Sequence, residues 1–409
     1  MEVKRHSHWQ EDLAFLIENI LSQHANPFHS ISKTQFDKDV GSLLERIPNL
    51  QPHEIVVEMS RIIASIGDGH TSFSLDTNAS LGFHRYPVRF YSFSDGVVVF
   101  EATEAYQILL GAHLIGIHYH TVEEVQSMIA NVVSGDNHQM KQQKACSALN
   151  IPEILHALGI IPAIEQGNFT LKNAQSEMFE VNLPVLETSA ISPWIGLGDN
   201  ALPTPLWQRN PDRFYWFDYL QDKELIYVNY RLIKDMPDET IQAFCTRLFE
   251  FIDNHSVERL ILDIRENEGG DNRLNQPLVH GLICNQKVNQ RGRLFTIIGR
   301  HTFSAAMNLA VDLERNTKTL FVGEPTGASP NHYGENAFVT LPHSRIALTV
   351  SKWYWQSSVP FDKRPWIRPH IPVTASSANY REGVDPVLDT ILMYVHNPSR
   401  TDYSPNYDD

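Results

Sequence analysis

Cysteine is scarce: Cys146, Cys245 and Cys284 are the only three in 409 residues. An odd, widely spaced set gives no disulfide framework and no paired metal-ligand spacing, so these residues are expected to be reduced members of the core. Positive charge is also short, with 33 Lys and Arg against 48 Asp and Glu and a formal net charge of -15. Nucleic acid and anionic membrane both require a basic surface and are excluded as principal partners. No run reaches eighteen uninterrupted apolar residues. The N-terminal "MEVKRHSHWQEDLAFLIENI" is broken by Glu11, Asp12 and Glu18, so neither a membrane span nor a secretory signal is read there. The expectation is a soluble, cytoplasmic chain, unless a leader has been removed. Internal repeats and low-complexity segments are absent as well, and no Gly-Lys-Ser/Thr phosphate loop points to nucleotide.

What remains is a globular composition, 42% hydrophobic and 20% charged, in a chain long enough for two or three domains. From residue 8 to about 66 the apolar period is helical. Leu13, Leu16, Ile17 and Ile20 form one stripe, "SKTQFDKDVGSLLERI" follows from a serine start, and "QPHEIVVEMSRIIASI" makes a third helix. From 84 the signal turns to strands. "YPVRFYSFSDGVVVF" reads as a hairpin around Asp95-Gly96, "LLGAHLIGIHYHTVEEVQSMI" as strand, turn and helix, and "FTLKNAQSEMFEVNLPVL" as a second hairpin. The Pro-, Gly- and Asn-rich "GLGDNALPTPLWQRNPD" is the best linker. After 213, apolar strands alternate with helices, the pattern of a sheet covered by helices. Domain boundaries are therefore set at 1–80, a helical region; 81–205, a strand-rich module with connecting segments; 206–395, an α/β core; and 396–409, an acidic tail read as frayed.

Within "RHTFSAAMNLAVDLERN", Ser304 follows an apolar strand and opens a helix whose Ala306, Leu309, Ala310 and Leu313 share one face. A hydroxyl there lies beside unpaired amides at the positive end of the helix dipole, and the Ala305 N–H could donate to an anion. The alternative is a cap, by Ser304 or by Thr302 before it. "LILDIRENEGGDN" runs a buried strand into Gly269-Gly270, where a backbone can approach a ligand closely or simply turn. Asp263 and Arg265 read as a structural ion pair. "SIGDGHTSF" places His70 in a Gly-flanked loop after a helix, where a lone histidine is more often structural. "IHYH" sets His118 and His120 on one face of a strand as zinc ligands can be, with no third ligand in view. No metal is assigned. "SPNHYGE" reads as a loop whose Asn331, His332 or Tyr333 either contacts substrate or is ordinary polar surface.

In combination, "IGDGHT", "DIRENEGG", "TFSAAMNLA" and "VGEPTG" resemble, in order and rough spacing, the C-terminal processing or tail-specific serine protease family. The likeness to its tricorn-core branch is closer, and "FYWFDYLQDKELIYVNY", "YPVRFYSFSDGVVVF" and "EGVDPVLD" extend it over about residues 50 to 395. The resemblance implies a mixed α/β fold with a crotonase/Clp-protease-like ββα spiral core, the N-terminal helical region, and a degenerate PDZ-like module over the strand-rich segment. It implies Ser304 as nucleophile, His70 as general base, and an oxyanion hole from Gly269 or Gly270 with the Ala305 N–H. Asp362 in "FDKRPWIRPHIPV" is the implied partner of His70, with Glu382 and Asp385 as alternatives, although Asp385 could equally cap a helix. The sequence departs from the family's serine–lysine dyad: Ser329 stands at the lysine's place, and Lys318 and Lys352 lie elsewhere. Gly69 replaces a serine that precedes the histidine in the tricorn-like branch. The implied function is hydrolysis of peptide bonds in a peptide or protein substrate without a cofactor, with an oligomer left open. A non-catalytic binding protein on the same scaffold is the rival.

Overall fold

The computed structural model describes residues 2–73, 83–186, 193–199, 201 and 203–395. The expectation for the tail at 396–409 therefore falls outside the described residues. The chain forms two compact units, one of residues 1–200 with 333–355, the other of residues 201–332 with 356–409. Among the described residues, no helix is long and apolar enough to cross a membrane.

In the second unit a six-stranded sheet runs in the order Ile371–Pro372, Leu320–Gly323, Leu294–Ile298, Arg259–Asp263, Leu225–Tyr230 and Tyr215–Leu220. Every pairing is parallel except the last, where Tyr215–Leu220 lies antiparallel to Leu225–Tyr230. All six residues of Leu225–Tyr230 are buried, which explains why that strand is apolar except for Asn229. Ile226, Val228 and Tyr230 enter one core with Leu260, Leu262, Leu294 and the helix Ala305–Asn316. Leu225 and Tyr227 point the other way, into a second core with Ile261, Phe295 and Ile297. The two-residue period thus loads both faces of one sheet.

The first unit has two cores. One joins the N-terminal helices, through Leu13, Leu16, Phe36, Ile55 and Met59, to Leu341, Leu348 and Val350. The carboxylate of Asp12 receives the amides of His343 and Ser344, tying the N-terminal helix Glu2–Gln23 to the 341–350 segment. The other core lies under an antiparallel sheet built from Val88–Phe93, Gly96–Thr103, His113–Ile117, Gln166–Lys172 and Met178–Pro184. Both expected hairpins are present: Phe93 pairs with Gly96 across a two-residue turn, and Lys172 pairs with Met178.

Three local expectations change. His118 and Tyr119 form the turn between His113–Ile117 and His120–Thr121, with His118 at φ 56°, so His118 and His120 do not share a strand face. "SPNHYGE" is not a free loop, because Asn331 begins the ten-residue strand Asn331–Thr340. Finally, Cys146 and Cys245 are free and buried as expected, but Cys284 is exposed at the end of its helix.

Candidate active site

The helix Ala305–Asn316 begins immediately after Ser304, and eight of its residues from Ala305 to Leu313 are buried. Ser304 is held at φ 54°, ψ -127°, a region that L-residues avoid and that costs roughly 1–3 kcal/mol. Its side chain makes no capping bond to the helix. Thr302 is no cap either: its hydroxyl receives the Gly299 amide and donates to the Ile264 carbonyl, stitching the preceding loop to the end of a strand. Both capping readings therefore fail, and a strained serine stands at the positive end of a buried twelve-residue helix.

The double glycine lies against this serine. A Cβ on Gly269 would come within 2.7 Å of the Ser304 Cβ and 2.9 Å of the Ala305 nitrogen, and φ at Gly269 is +109°. Only glycine permits both the angle and the approach. Gly270, at φ +135°, is pressed on its other side, where an added Cβ would meet the Ile233 carbonyl oxygen at 2.2 Å. Ile233 brackets the pair, donating its amide to the Gly269 carbonyl and accepting from the Asp271 amide.

Asn267, which sequence reasoning passed over inside "DIRENEGG", organises this turn. It is fully buried. Its Oδ1 accepts the Gly269 amide at 2.9 Å, its Nδ2 donates to the Tyr230 carbonyl at 2.8 Å, and its carbonyl accepts the Phe303 amide at 3.1 Å. Asn267 thus joins the strand Leu225–Tyr230 to the glycine turn through its side chain, and holds the residue before Ser304 through its main-chain carbonyl. Because Asn267 takes the Gly269 N–H, the glycine amide left without an acceptor among the described residues is that of Gly270. The Ala305 amide, at the open end of the helix, is in the same position.

Titratable groups also flank the turn. His301 Nδ1 lies 3.1 Å from Glu268 Oε1. Burial pulls the His301 pKa down, but the Glu268 hydrogen bond and the charges of Glu266 and Glu268 outweigh it and leave it raised. Burial lifts Glu266 against the pull of His301 and Arg265. Arg265 bonds both Asp263 and Asp385, as a structural pair would, and Asp385 also caps the helix Pro386–Leu392 through the Val387 and Leu388 amides. Glu382 is exposed.

Asp362 is buried in the second unit and heavily engaged. It accepts from Ser358 Oγ at 2.6 Å and from the Arg364 Nε and Nη2 at 3.0 and 2.8 Å. Arg364 in turn forks onto Glu314 of the Ser304 helix at 2.9 and 2.8 Å. Asn331 is buried too, its amide bonded to Val359 and to the Asp362 carbonyl and its Oδ1 to the Ser358 amide. His332 is buried with Nδ1 beside the Ser329 carbonyl. These side chains brace the 358–364 turn. Ser329 bonds the Pro365 carbonyl.

His70 belongs to the first unit, with Tyr333. Its loop follows the helix Pro52–Ala64 and is shaped by Asp68, which is fully buried. Asp68 accepts the His70 amide at 2.9 Å, the Thr71 amide and hydroxyl, and His24 Nε2 at 3.1 Å. Burial works against the Asp68 charge, but hydrogen bonds from His24 and Thr71 and the nearby His70 outweigh it and hold the carboxyl down to about 2. The Thr349 hydroxyl donates to the His70 carbonyl at 2.6 Å, and Asp136 accepts the Gly69 amide at 2.6 Å. His70 itself is 8% exposed, and its Cε1 lies 3.6 Å from where a Cβ on Gly334 would stand. Tyr333 stacks on His29 and tilts against His24 and Tyr354. The second unit thus assembles Ser304, Ala305, Gly269 and Gly270 at one turn, while a separate buried network orders the His70 backbone.

No protein-family model matches this sequence, and no curated protein matches it by sequence. Solved structures do. Mature CPAF is 14% identical and aligns over 95% of this chain and 96% of its own, with a TM-score of 0.65. Mature CPAF in complex with lactacystin is 12% identical over 95% of this chain and 98% of its own, with a TM-score of 0.64. The photosystem II D1 C-terminal processing protease aligns more loosely, at 13% identity over 89% and 93% of the two chains and a TM-score of 0.40. The chain therefore has the mixed α/β fold of mature CPAF along nearly its whole length.

Proposed function

We propose that this chain is a serine peptidase of the tail-specific, tricorn-core-like kind, hydrolysing peptide bonds by acyl transfer. The observation that carries the reading is Ser304, strained at φ 54° on a buried helix N-terminus, with its hydroxyl not spent on capping and Gly269 packed against its Cβ. A residue costs stability in that conformation, and such strain gathers where a side chain must be presented rather than packed. The motif order and the shared mixed α/β fold support the rest of the reading, in which the second unit is a ββα spiral core and the antiparallel sheet of the first is a PDZ-like module.

In this mechanism His70 accepts the Ser304 hydroxyl proton as Oγ bonds to the substrate carbonyl carbon. The tetrahedral oxyanion is held by the Gly270 and Ala305 amides, while Gly269 gives the backbone its close approach. Loss of one such donor costs roughly 3 kcal/mol of barrier. Protonated His70 then gives its proton to the leaving amine as the C–N bond breaks. Water, deprotonated by His70, releases the acyl group and restores the serine. Asp68 fixes the His70 backbone. The mechanism asks less of Asp362, whose carboxylate already serves Ser358 and Arg364; as partner of His70 it has only the acceptor capacity those bonds leave. The substrate is a peptide or protein, and the net charge of -15 argues against nucleic acid.

A fluorophosphonate probe tests the reading. The expected result is labelling of the wild type, none of Ser304→Ala, and much slower labelling of His70→Ala, with peptide turnover following the same order. Absence of labelling between about pH 6 and 9, the range around an ordinary histidine pKa, or equal labelling of Ser304→Ala, overturns it in favour of a binding protein.

A further inference from the structure

A second constellation lies in the first unit, on residues the peptidase reading does not use. His53 and Glu54 occupy the first turn of the helix Pro52–Ala64, and His156 the last turn of Pro152–Ala157. His53 Nε2 and His156 Nδ1 are 2.9 Å apart, and one ring nitrogen of each histidine and a Glu54 carboxylate oxygen all lie within 4.8 Å of one another. All three residues are half-buried. We propose that His53, Glu54 and His156 form a zinc site that staples the N-terminal end of the helix leading to the His70 loop onto the helix Pro152–Ala157.

The chemistry of the donors selects the ion. Two imidazoles with one carboxylate suit zinc, whereas magnesium and calcium prefer all-oxygen shells. Zinc–ligand bonds of about 2.0–2.2 Å in a tetrahedron put neighbouring donor atoms about 3.3 Å apart. The two rings need open only a few tenths of an ångström, and the carboxylate swings in by a side-chain rotation. The half-exposed face leaves the fourth position to water.

The present bond between the rings requires one nitrogen to carry hydrogen. Zinc entry shifts that hydrogen to the other nitrogen of the same ring, so two neutral rings lose no net proton. Glu54 gives one oxygen to the Gln51 amide at 2.6 Å and keeps the other for the ion. One turn before His156, Glu153 is buried against the amide and ring of His84, which fixes the short helix that presents the second imidazole.

The test uses the full chain, stripped with a chelator, desalted and titrated with zinc chloride by calorimetry. Thermal unfolding and the visible absorption of a cobalt-substituted sample are read alongside. With nineteen histidines in the chain, the decisive quantity is a difference between proteins. The wild type should bind one equivalent that His53→Gln and His156→Gln lack, and zinc should raise the melting temperature of the wild type alone. Should either variant fail to fold, Glu54→Gln decides. Its amide oxygen still accepts the Gln51 N–H, so the helix cap survives, but zinc affinity should fall at least about tenfold, the loss that even outer-shell substitutions bring. Identical stoichiometry and affinity in wild type and variants, or no binding by the wild type, overturns the site and leaves the two rings a hydrogen-bonded pair.

Discussion

Asn267 is the side chain through which the glycine turn can be perturbed without touching Ser304 or either glycine. Replacing it with alanine removes the 2.9 Å bond from the Gly269 amide and the 2.8 Å bond to the Tyr230 carbonyl. Both abandoned partners, on Gly269 and Tyr230, belong to buried residues, and leaving each unsatisfied costs about 1–3 kcal/mol. With two such partners the expected loss of stability is about 2–6 kcal/mol, measured by urea unfolding. Labelling by the fluorophosphonate should fall as well, because a relaxed Gly269 no longer fixes the position of Ser304. A shift equivalent to 1.4 kcal/mol lowers the rate about tenfold. Asn267→Asp separates the two bonds. Its carboxylate still accepts the Gly269 amide but faces the Tyr230 carbonyl with an oxygen. Protonation restores the donor, so this variant should regain stability as pH falls, and asparagine should not. Asn267→Ala within about 0.5 kcal/mol of wild type, the range of ordinary surface substitutions, with unchanged labelling, refutes the role given to this residue.

Two further predictions concern buried charge. Asp136 is raised to about 8, by burial first and then by the charge of Asp68, against a hydrogen bond from Gly69 and the charge of Lys144. Its Oδ2 is sealed from solvent with no partner among the described residues. The folded state therefore binds a proton that the unfolded chain releases near pH 4. The stability tied to that proton is complete below about pH 4 and falls as pH rises through about 8. Asp136→Asn should flatten this fall between about pH 5 and 8 in urea midpoints, and an unchanged slope counts against the assignment. Arg364→Ala leaves the Asp362 and Glu314 carboxylates unpaired, at 5% and 6% exposure. A loss of about 3–5 kcal/mol is expected, and Arg364→Lys should not restore it, since an ammonium cannot fork onto two carboxylates. Unfolding midpoints equal to wild type would contradict the ion-pair reading.

The sequence by itself determined the elements, because their causes are local. Apolar residues recurring every three to four positions made the N-terminal helices, mostly apolar runs such as "LIYVNY" made strands buried on both faces, and two residues between strand-forming runs closed the hairpin at 94–95. It also showed Ser304 at a helix start and two glycines at a strand end. Tertiary structure decided which groups those residues meet, because it brings together partners that no spacing announces. Ser304 was read as attacker or cap from the same residues, and its φ of 54° beside Gly269, 35 positions earlier, rules out the cap. Asp362 shows no partner in its own stretch of sequence beyond Arg364, and only the folded chain adds the Ser358 hydroxyl to its carboxylate and ties Arg364 to Glu314. Asn267, silent in its motif, became the hub of the turn through a carbonyl 37 positions away. His53 and His156, 103 positions apart, meet only in the folded unit. Periodicity is a property of neighbouring residues, whereas hydrogen-bond partners and backbone strain belong to the packed chain.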